Sequence, residues 1–267
     1  MLMPRVEKII PVWGTEIYID ASSTKIDATE IDRVIAGVEA FLFDVDEELS
    51  TFKENSSVSK LRANKLKIED APDMVQEVWR GCAKAKELSF GSFDPWAVEG
   101  GFDPSGYVKG WAADKCADIL VAAGCQHVQV NAAGDLTLRG GLLNSSGAVE
   151  PWRIGVVNPE NTQEILRVFE ITDGAIATSG TYERGAHIVD PHSGLIAIGA
   201  RSATVLGPDG GLTDALATAL MVTGDGGAGL FAQPELAGYS AWCIDRHGGG
   251  AWGVGPALAA EIEAQQG

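Results

Sequence analysis

Two short segments of this chain put oxygen-bearing and cationic side chains at spacings that aim them at one ligand. In Leu212-Thr213-Asp214-Ala215-Leu216-Ala217-Thr218-Ala219-Leu220, Asp214 and Thr218 stand one helical turn apart, so both oxygens project from one helix face. The other positions are mostly apolar, and a carboxylate on a largely buried helix needs a partner. A hard cation such as Mg²⁺, which prefers oxygen ligands, supplies one. The plainer alternative is an Asp that favours the helix N-terminus through the dipole, with Thr213 as N-cap. In Phe102-Asp103-Pro104-Ser105-Gly106-Tyr107-Val108-Lys109-Gly110, a flexible loop hands Asp103, Ser105, Gly106 and Lys109 to a helix start. Free N–H groups and the positive end of the dipole suit an anion there, and Lys109 can neutralise a phosphate as a point charge. A capped helix with a solvated lysine is the plainer reading.

Three further segments carry weaker signals. Ala175 to Pro191 sets two apolar runs around a polar turn, and His187 opens the second run as a base, a hydrogen-bond donor or a core histidine. Asn131-Ala132-Ala133-Gly134-Asp135 is a turn of small residues that a ligand or another backbone can approach closely, or an ordinary hairpin turn. Gly91-Ser92-Phe93-Asp94-Pro95 pairs small residues with one aromatic, which can hold a planar ring or simply form a loop. His127, His187, His192 and His247 do not pair with cysteine at zinc-ligand spacing. There is no G-x-S-x-G elbow, no G-x-G-x-x-G after a strand and no G-x-x-x-x-G-K-[ST] loop.

The elements that must position these residues follow from periodicity. Val6 to Asp20 alternates and reads as strands around a turn at Trp13-Gly14-Thr15. From Thr29, Ile31, Val34, Ile35, Val38, Phe41, Leu42, Val45 and Leu49 recur at helical spacing. Residues 51–64 are polar and read as a loop. A second helix is expected from Ala71 to Leu88, then a loop from Gly91 to Gly106, and a third helix from Lys109 to Ala123 closed by Gly124. Strands are expected at His127–Val130, Leu136–Arg139, Trp152–Val157, Ile165–Ile171, Ala175–Ser179, His187–Val189, Arg201–Leu206 and Tyr239–Asp245, with helices at Thr213–Val222 and near Gly227–Leu236. Helices cluster early and strands late, which points to an α+β fold with a mostly antiparallel sheet.

Composition narrows the function classes. The 267 residues are 45% hydrophobic, with Lys+Arg 20 against Asp+Glu 37, a formal charge of −17. Such a charge disfavours nucleic acid and anionic membrane surfaces, both of which need clustered Lys and Arg. No apolar run of spanning length and no signal-peptide pattern is seen. The four cysteines, Cys82, Cys116, Cys125 and Cys243, form no C-x-x-C pair and read as reduced buried thiols, so the expected compartment is the cytoplasm.

Taken in order along nearly the whole chain, these segments resemble the ApbE family of FAD:protein FMN transferases. Leu49-Ser50-Thr51-Phe52 and the Ser-rich stretch to Leu61 resemble that family's "LSTYRPDSELSRFN", and Gly91 to Pro95 its "GAFDP". Asp103 to Gly110, with Asp114 beyond, resembles "DLSGIAKGYAVD"; Asn131 to Asp135 resembles "NIGGD"; and Trp152 to Val156 resembles "WRVGI". Ala177 to Gly180 with His187 to Pro191 resembles "ATSG…HIIDP", and Thr213 to Leu220 resembles "ADALATAL". The resemblance implies an ApbE-like, T-fold-like α+β domain over 1–267, as one unit or two subdomains with the FAD site between them. It implies FAD as substrate, a bound Mg²⁺, and transfer of the FMN half of FAD to a Thr or Ser hydroxyl of a target flavoprotein, with release of AMP. By position, Asp214, Thr218 and the main-chain oxygen of Gly106 would hold the metal. Ser92, Phe93, Asp94, Asp103, Lys109 and Ile188 would line the FAD.

Chemistry and resemblance then converge. A pyrophosphate entering a chain of charge −17 needs a local cation. The acceptor hydroxyl needs a base, for which His187 is the candidate and Asp214 the alternative. Two other outcomes share the same residues: an FAD pyrophosphatase giving FMN and AMP to water, and a non-catalytic flavin-binding protein. Two departures stand out, Ala133 where the family has glycine and the short Tyr182–His187 connection.

Overall fold

The structure is a computed structural model and describes residues 3–144, 146–180, 188–246 and 250–259. The chain opens with a hairpin, β1 (Arg5–Val12) and β2 (Thr15–Ser22). Its turn residues Trp13 and Gly14 both have positive φ, 59° and 70°, the two-residue turn whose twist matches the flanking strands. Helix α1 (Ala28–Leu49) follows, and the carboxylate of Asp27 caps it by accepting from the Glu30 amide at 2.9 Å. Ile31, Ile35, Val38, Leu42, Val45 and Leu49 form its buried stripe, each side chain contributing about 1.5–3 kcal/mol of transfer free energy.

The stretch 51–64 holds a short helix, α2 (Ser57–Arg62), rather than a plain loop. Ser56 nucleates it by accepting from the Ser59 amide at 3.0 Å, and six residues are too few for an apolar period to reveal it. Helix α3 is Asp73–Leu88 and α4 is Ser105–Ala122. The start of α4 lies a full turn before the expected Lys109, because Asp103 accepts from both the amide and the hydroxyl of Ser105, at 3.0 and 2.5 Å. Gly124, at φ 110°, ends it as expected.

Among the described residues, ten strands follow, interrupted by one α-helix. They are β3 (His127–Ala132), β4 (Asp135–Arg139), β5 (Leu142–Leu143), β6 (Val149–Glu150), β7 (Trp152–Asn158), β8 (Asn161–Ile171), β9 (Gly174–Gly180), β10 (Ala200–Gly207), β11 (Ser240–Asp245) and β12 (Ala251–Val254). Helix α5 (Gly210–Thr223) lies between β10 and β11. It starts earlier than the expected Thr213, since Asp209 is the cap, accepting from the Leu212 amide at 2.7 Å. After it come 3₁₀ turns at Gly224–Ala232 and Pro234–Leu236. The expected strand His187–Val189 reduces, among the described residues, to a bridge between Val189 and Ile196.

Eight strands form one sheet in the order β1-β2-β3-β4-β9-β10-β11-β12, every neighbouring pair antiparallel. The molecule is therefore an α+β fold, as read from the sequence. One face of the sheet is covered by helices: Ile17, Ile19, Val128 and Val130 pack with α1 and α4, while Val205, Ala203 and Cys243 pack with α5. The other face meets the β7–β8 ribbon, whose Trp152, Val156 and Phe169 cover Leu136, Leu138, Ile176 and Leu206. Burial on both faces explains why Ala175, Ile176 and Ala177 of β9 are all buried and show no alternation.

Among the described residues, the stretch Gly210–Ala232 is apolar and long enough to cross a membrane by length and composition alone. The α5 part of it is a core helix, buried on nearly every side, and the helix breaks at Gly224, whose φ is 53°.

Candidate functional site

Helices α4 and α5 run antiparallel and touch along stripes of small residues. Gly106, Gly110 and Asp114 share one face of α4, and Gly210, Asp214 and Thr218 share one face of α5. At the centre the backbones meet: a Cβ on Gly110 would lie 2.0 Å from the Gly210 carbonyl oxygen, and one on Gly210 would lie 2.4 Å from that of Gly110. Only glycine fits both positions. At one end, a Cβ on Gly106 would stand 3.1 Å from the Thr218 hydroxyl and 3.2 Å from the Phe93 ring. The backbone at Gly106 leaves helical geometry, with φ −87° and ψ 23°, which turns its carbonyl away from the direction of a regular helix ladder.

A cavity of about 200 Å³ opens at this end. Asp103, Gly106 and Lys109 reach it from the start of α4, and Asp214 and Thr218 from α5. Ser92, Phe93 and Asp94 line it from the loop after α3, and Ile188 from beyond β9. The structure thus brings together all the sequence-derived site residues except His187, which lies outside the described residues, as does the Tyr182–His187 connection. Ala133, Thr178 and Ser179 line the same cavity. The Ser179 hydroxyl lies 3.4 Å from that of Thr218.

Local interactions fix these groups. Ser89 clasps Phe93, accepting from its amide at 3.0 Å. The Asp94 carboxylate accepts from the Trp96 amide at 3.0 Å and meets Lys86 at 2.7 Å, so it braces the wall from within. Asp103 is held by Ser105 as described and by its own amide, which donates to the Pro95 carbonyl at 2.8 Å. Behind this loop Trp79, Trp96 and Phe102 pack together, with ring centroids 4.6–5.3 Å apart. The ammonium of Lys109 forms a short ion pair with the Asp135 carboxylate, which is 3% exposed. Asp214 is likewise 3% exposed. The Cys82 thiol nearby is pushed up well above its ordinary pKa by burial, and further by the charges of Asp214 and Asp103, so it stays neutral.

A second cavity of about 390 Å³ adjoins the first, with Ser105 and Lys109 lining both. Trp13 and Phe52 furnish it with aromatic surface, and Phe52 is 97% exposed. Sequence reasoning placed Trp13 only in a turn and Phe52 only in a family-like segment. The available signal was an aromatic residue inside a polar, Ser-rich loop.

The oxygen donors suit a hard cation. Asp214, Thr218 and the backbone of Gly106 line the same cavity, whose described lining holds no histidine or cysteine, and among the described residues no three His, Cys, Asp or Glu side chains form a metal-holding group. Such a set matches Mg²⁺, which is commonly bound by one or two carboxylates with substrate phosphates completing its shell.

An eight-stranded antiparallel sheet carrying two antiparallel helices, with a cleft at the end of their contact lined by carboxylates, hydroxyls and one lysine, defines an α+β protein. The chain belongs to the ApbE family, whose model matches residues 98–241. It resembles the FAD:protein FMN transferase of Vibrio cholerae serotype O1, at 38% identity over 133 residues, covering 46% of this chain and 39% of that protein. It also resembles the FAD:protein FMN transferase of Rhodobacter capsulatus, at 30% identity over 203 residues, covering 73% of this chain and 35% of that one. These matches span under two-fifths of the length of the curated relatives. In fold it is similar to the solved flavin transferase ApbE from Vibrio cholerae, with a TM-score of 0.81, 22% identity, and coverage of 97% of this chain and 99% of that one. It is also similar to the apo Pseudomonas stutzeri flavinyl transferase ApbE, with a TM-score of 0.79, 24% identity and coverage of 97% of each chain.

Proposed function

We propose that this chain is a Mg²⁺-dependent FAD:protein FMN transferase, moving the FMN half of FAD to a Thr or Ser hydroxyl of a target flavoprotein and releasing AMP. The observation that carries the reading is the meeting of Asp103, Gly106 and Lys109 with Asp214 and Thr218 in one cavity. The name borne by the curated relatives supports it.

In this reading Asp214, Thr218 and the Gly106 carbonyl hold the ion. When bound, Mg²⁺ neutralises pyrophosphate charge and polarises the attacked phosphorus. Lys109 offers the pyrophosphate a second positive charge, oriented by Asp135. Ser92, Phe93 and Ile188 form a wall that keeps water from the phosphorus. The flat faces of Trp13 and Phe52 in the adjoining cavity suit the isoalloxazine ring. His187, by its chemistry, takes the proton from the acceptor hydroxyl. Leu195, Ile196 and Ile198 stand exposed on the segment that follows Ile188 and Val189 at the cavity wall, an apolar rim suited to a protein acceptor.

The test is incubation with FAD, Mg²⁺ and a peptide bearing a D-x-x-T-[SG]-A acceptor, followed by mass spectrometry. Flavin covalently joined to the peptide with AMP released supports transfer. Free FMN with AMP, and no modified peptide, overturns it in favour of hydrolysis. Intact FAD overturns it in favour of binding alone.

A further inference from the structure

Asp114 lies at the far end of the α4–α5 contact from the cavity, outside its lining. Its carboxylate nonetheless joins the elements that build the site. Oδ2 accepts from the Gly210 amide at 2.6 Å, at the first residue of α5. Oδ1 accepts from the Thr137 hydroxyl at 2.7 Å and from Arg139 at 3.3 Å, both on β4. α4 carries Gly106 and Lys109, α5 carries Asp214 and Thr218, and β4 begins with Asp135, the partner of Lys109.

We propose that Asp114 is a positioning residue that sets the register of α5 against α4, and thereby the separation between the Gly106 carbonyl and the Asp214 and Thr218 oxygens. Gly110 and Gly210 meet backbone to backbone, and the Tyr107 ring of α4 packs over Gly211 of α5 beside them, so the helices approach closely and the Asp114 carboxylate adds a directional bond to that fit. A charged acceptor on the α5 amide is directional and among the stronger hydrogen bonds a fold can make. Two of its bonds tie the same carboxylate to β4, so the staple is anchored in the sheet. A slide of a fraction of an ångström would leave core burial almost unchanged, but an ion that demands a narrow range of oxygen distances would feel it. The inference rests on the proposed metal site.

The test titrates Mn²⁺ into the protein alone and follows loss of the free-ion EPR signal. Asp114→Asn is expected to weaken Mn²⁺ binding at least about tenfold, the range found when groups supporting metal ligands are removed. In turnover assays the half-saturating Mg²⁺ concentration should rise in parallel, and excess Mg²⁺ should restore kcat. Thr137→Val, a milder change that removes one hydroxyl from the staple, should weaken Mn²⁺ binding by a few-fold and serves as the test if Asp114→Asn does not fold. Val38→Ala, a cavity in the α1 core, lowers thermal stability without touching the staple and should keep wild-type Mn²⁺ affinity. Wild-type affinity in Asp114→Asn or Thr137→Val overturns the proposal, as does an equal loss in Val38→Ala. Asp214→Ala separates the two readings. If it binds Mn²⁺ like wild type, the metal site falls and the inference with it; if it abolishes binding while the Asp114 variant does not, only the inference falls.

Discussion

The α carbon of Gly106 faces the Thr218 hydroxyl across the α4–α5 contact so closely that a methyl group there would sit 3.1 Å from that oxygen. A methyl at this distance is tighter than ordinary van der Waals contact, and Phe93 closes the other side at 3.2 Å. The φ of Gly106 is negative, so alanine is conformationally acceptable and the obstacle is space alone. Gly106→Ala should therefore fold, with a thermal midpoint within a few degrees of wild type, yet bind Mn²⁺ about tenfold more weakly as Thr218 is pushed aside. Calorimetric titration beside a melting curve checks both halves; unchanged affinity would place the ion elsewhere.

Lys109 and Asp135 are coupled in a way that separates binding from stability. Asp135 is nearly inaccessible, whereas the Lys109 side chain is 23% exposed at the junction of the two cavities. Removing the cation from a buried carboxylate destabilises a fold, here by about 1–3 kcal/mol once partial exposure is allowed for. Lys109→Met should show that loss and, with the proposed phosphate contact gone, also raise the FAD dissociation constant at least about tenfold. Asp135→Asn should lower stability while keeping most of the FAD affinity, because the ammonium remains. Denaturant melts with flavin fluorescence titrations distinguish the two. Equal FAD affinity in Lys109→Met and wild type would remove the lysine from the site.

Much of this arrangement is legible in the sequence because it obeys helical period. Asp214 and Thr218 share a face wherever the segment is helical, and the Asp103–Lys109 segment begins a helix whichever residue caps it. The apolar stripe of α1 is equally plain. Residue spacing did not reveal the start of α5 at Gly210 behind its Asp209 cap, because a buried helix has apolar residues on every side and no edge to its pattern. Nor did it reveal the role of Asp114, whose partners lie on β4 and α5, 23 to 96 residues away. The aromatic cavity depends on Trp13 and Phe52 lining one space from two separate turns, a relation that no local period encodes.

The buried thiols set an alkaline limit to stability. Burial pushes up Cys82, Cys116, Cys125 and Cys243, the last to about 12. An unfolded thiol ionises near 8.5. Because the folded value is the higher one, this contribution is fully present below about pH 8.5 and is lost as pH rises through the folded pKa. The thermal midpoint should hold to about pH 8.5 and then fall, and Cys243→Ala should show a shallower decline than wild type. In the same range the native thiols should resist iodoacetamide and react only after unfolding. A midpoint that stays flat to pH 10.5 would show that the thiols titrate alike in both states.

Ala133 stands at φ 54° beside Gly134 at 99°, in the two-residue turn between β3 and β4, and it lines the first cavity. This turn type needs positive φ at both central residues. An L-residue there carries about 1–2 kcal/mol of strain that glycine avoids. Alanine offsets part of that by restricting the unfolded chain, by about 0.4–1 kcal/mol. Ala133→Gly should therefore stabilise the fold by about 0.5–1 kcal/mol. The turn is tied down from within, since the Asn131 side chain accepts from the Gly134 amide at 2.8 Å, so the relaxed backbone should keep its path. The same substitution removes a methyl group from the cavity wall and leaves a slightly roomier site, with FAD affinity changed by no more than a few-fold. A stability increase without a change in FAD affinity would identify Ala133 as a strained filler of the wall. A loss of stability would mean that the left-handed conformation is relieved by packing around the methyl group, and urea melts of the two proteins decide between these outcomes.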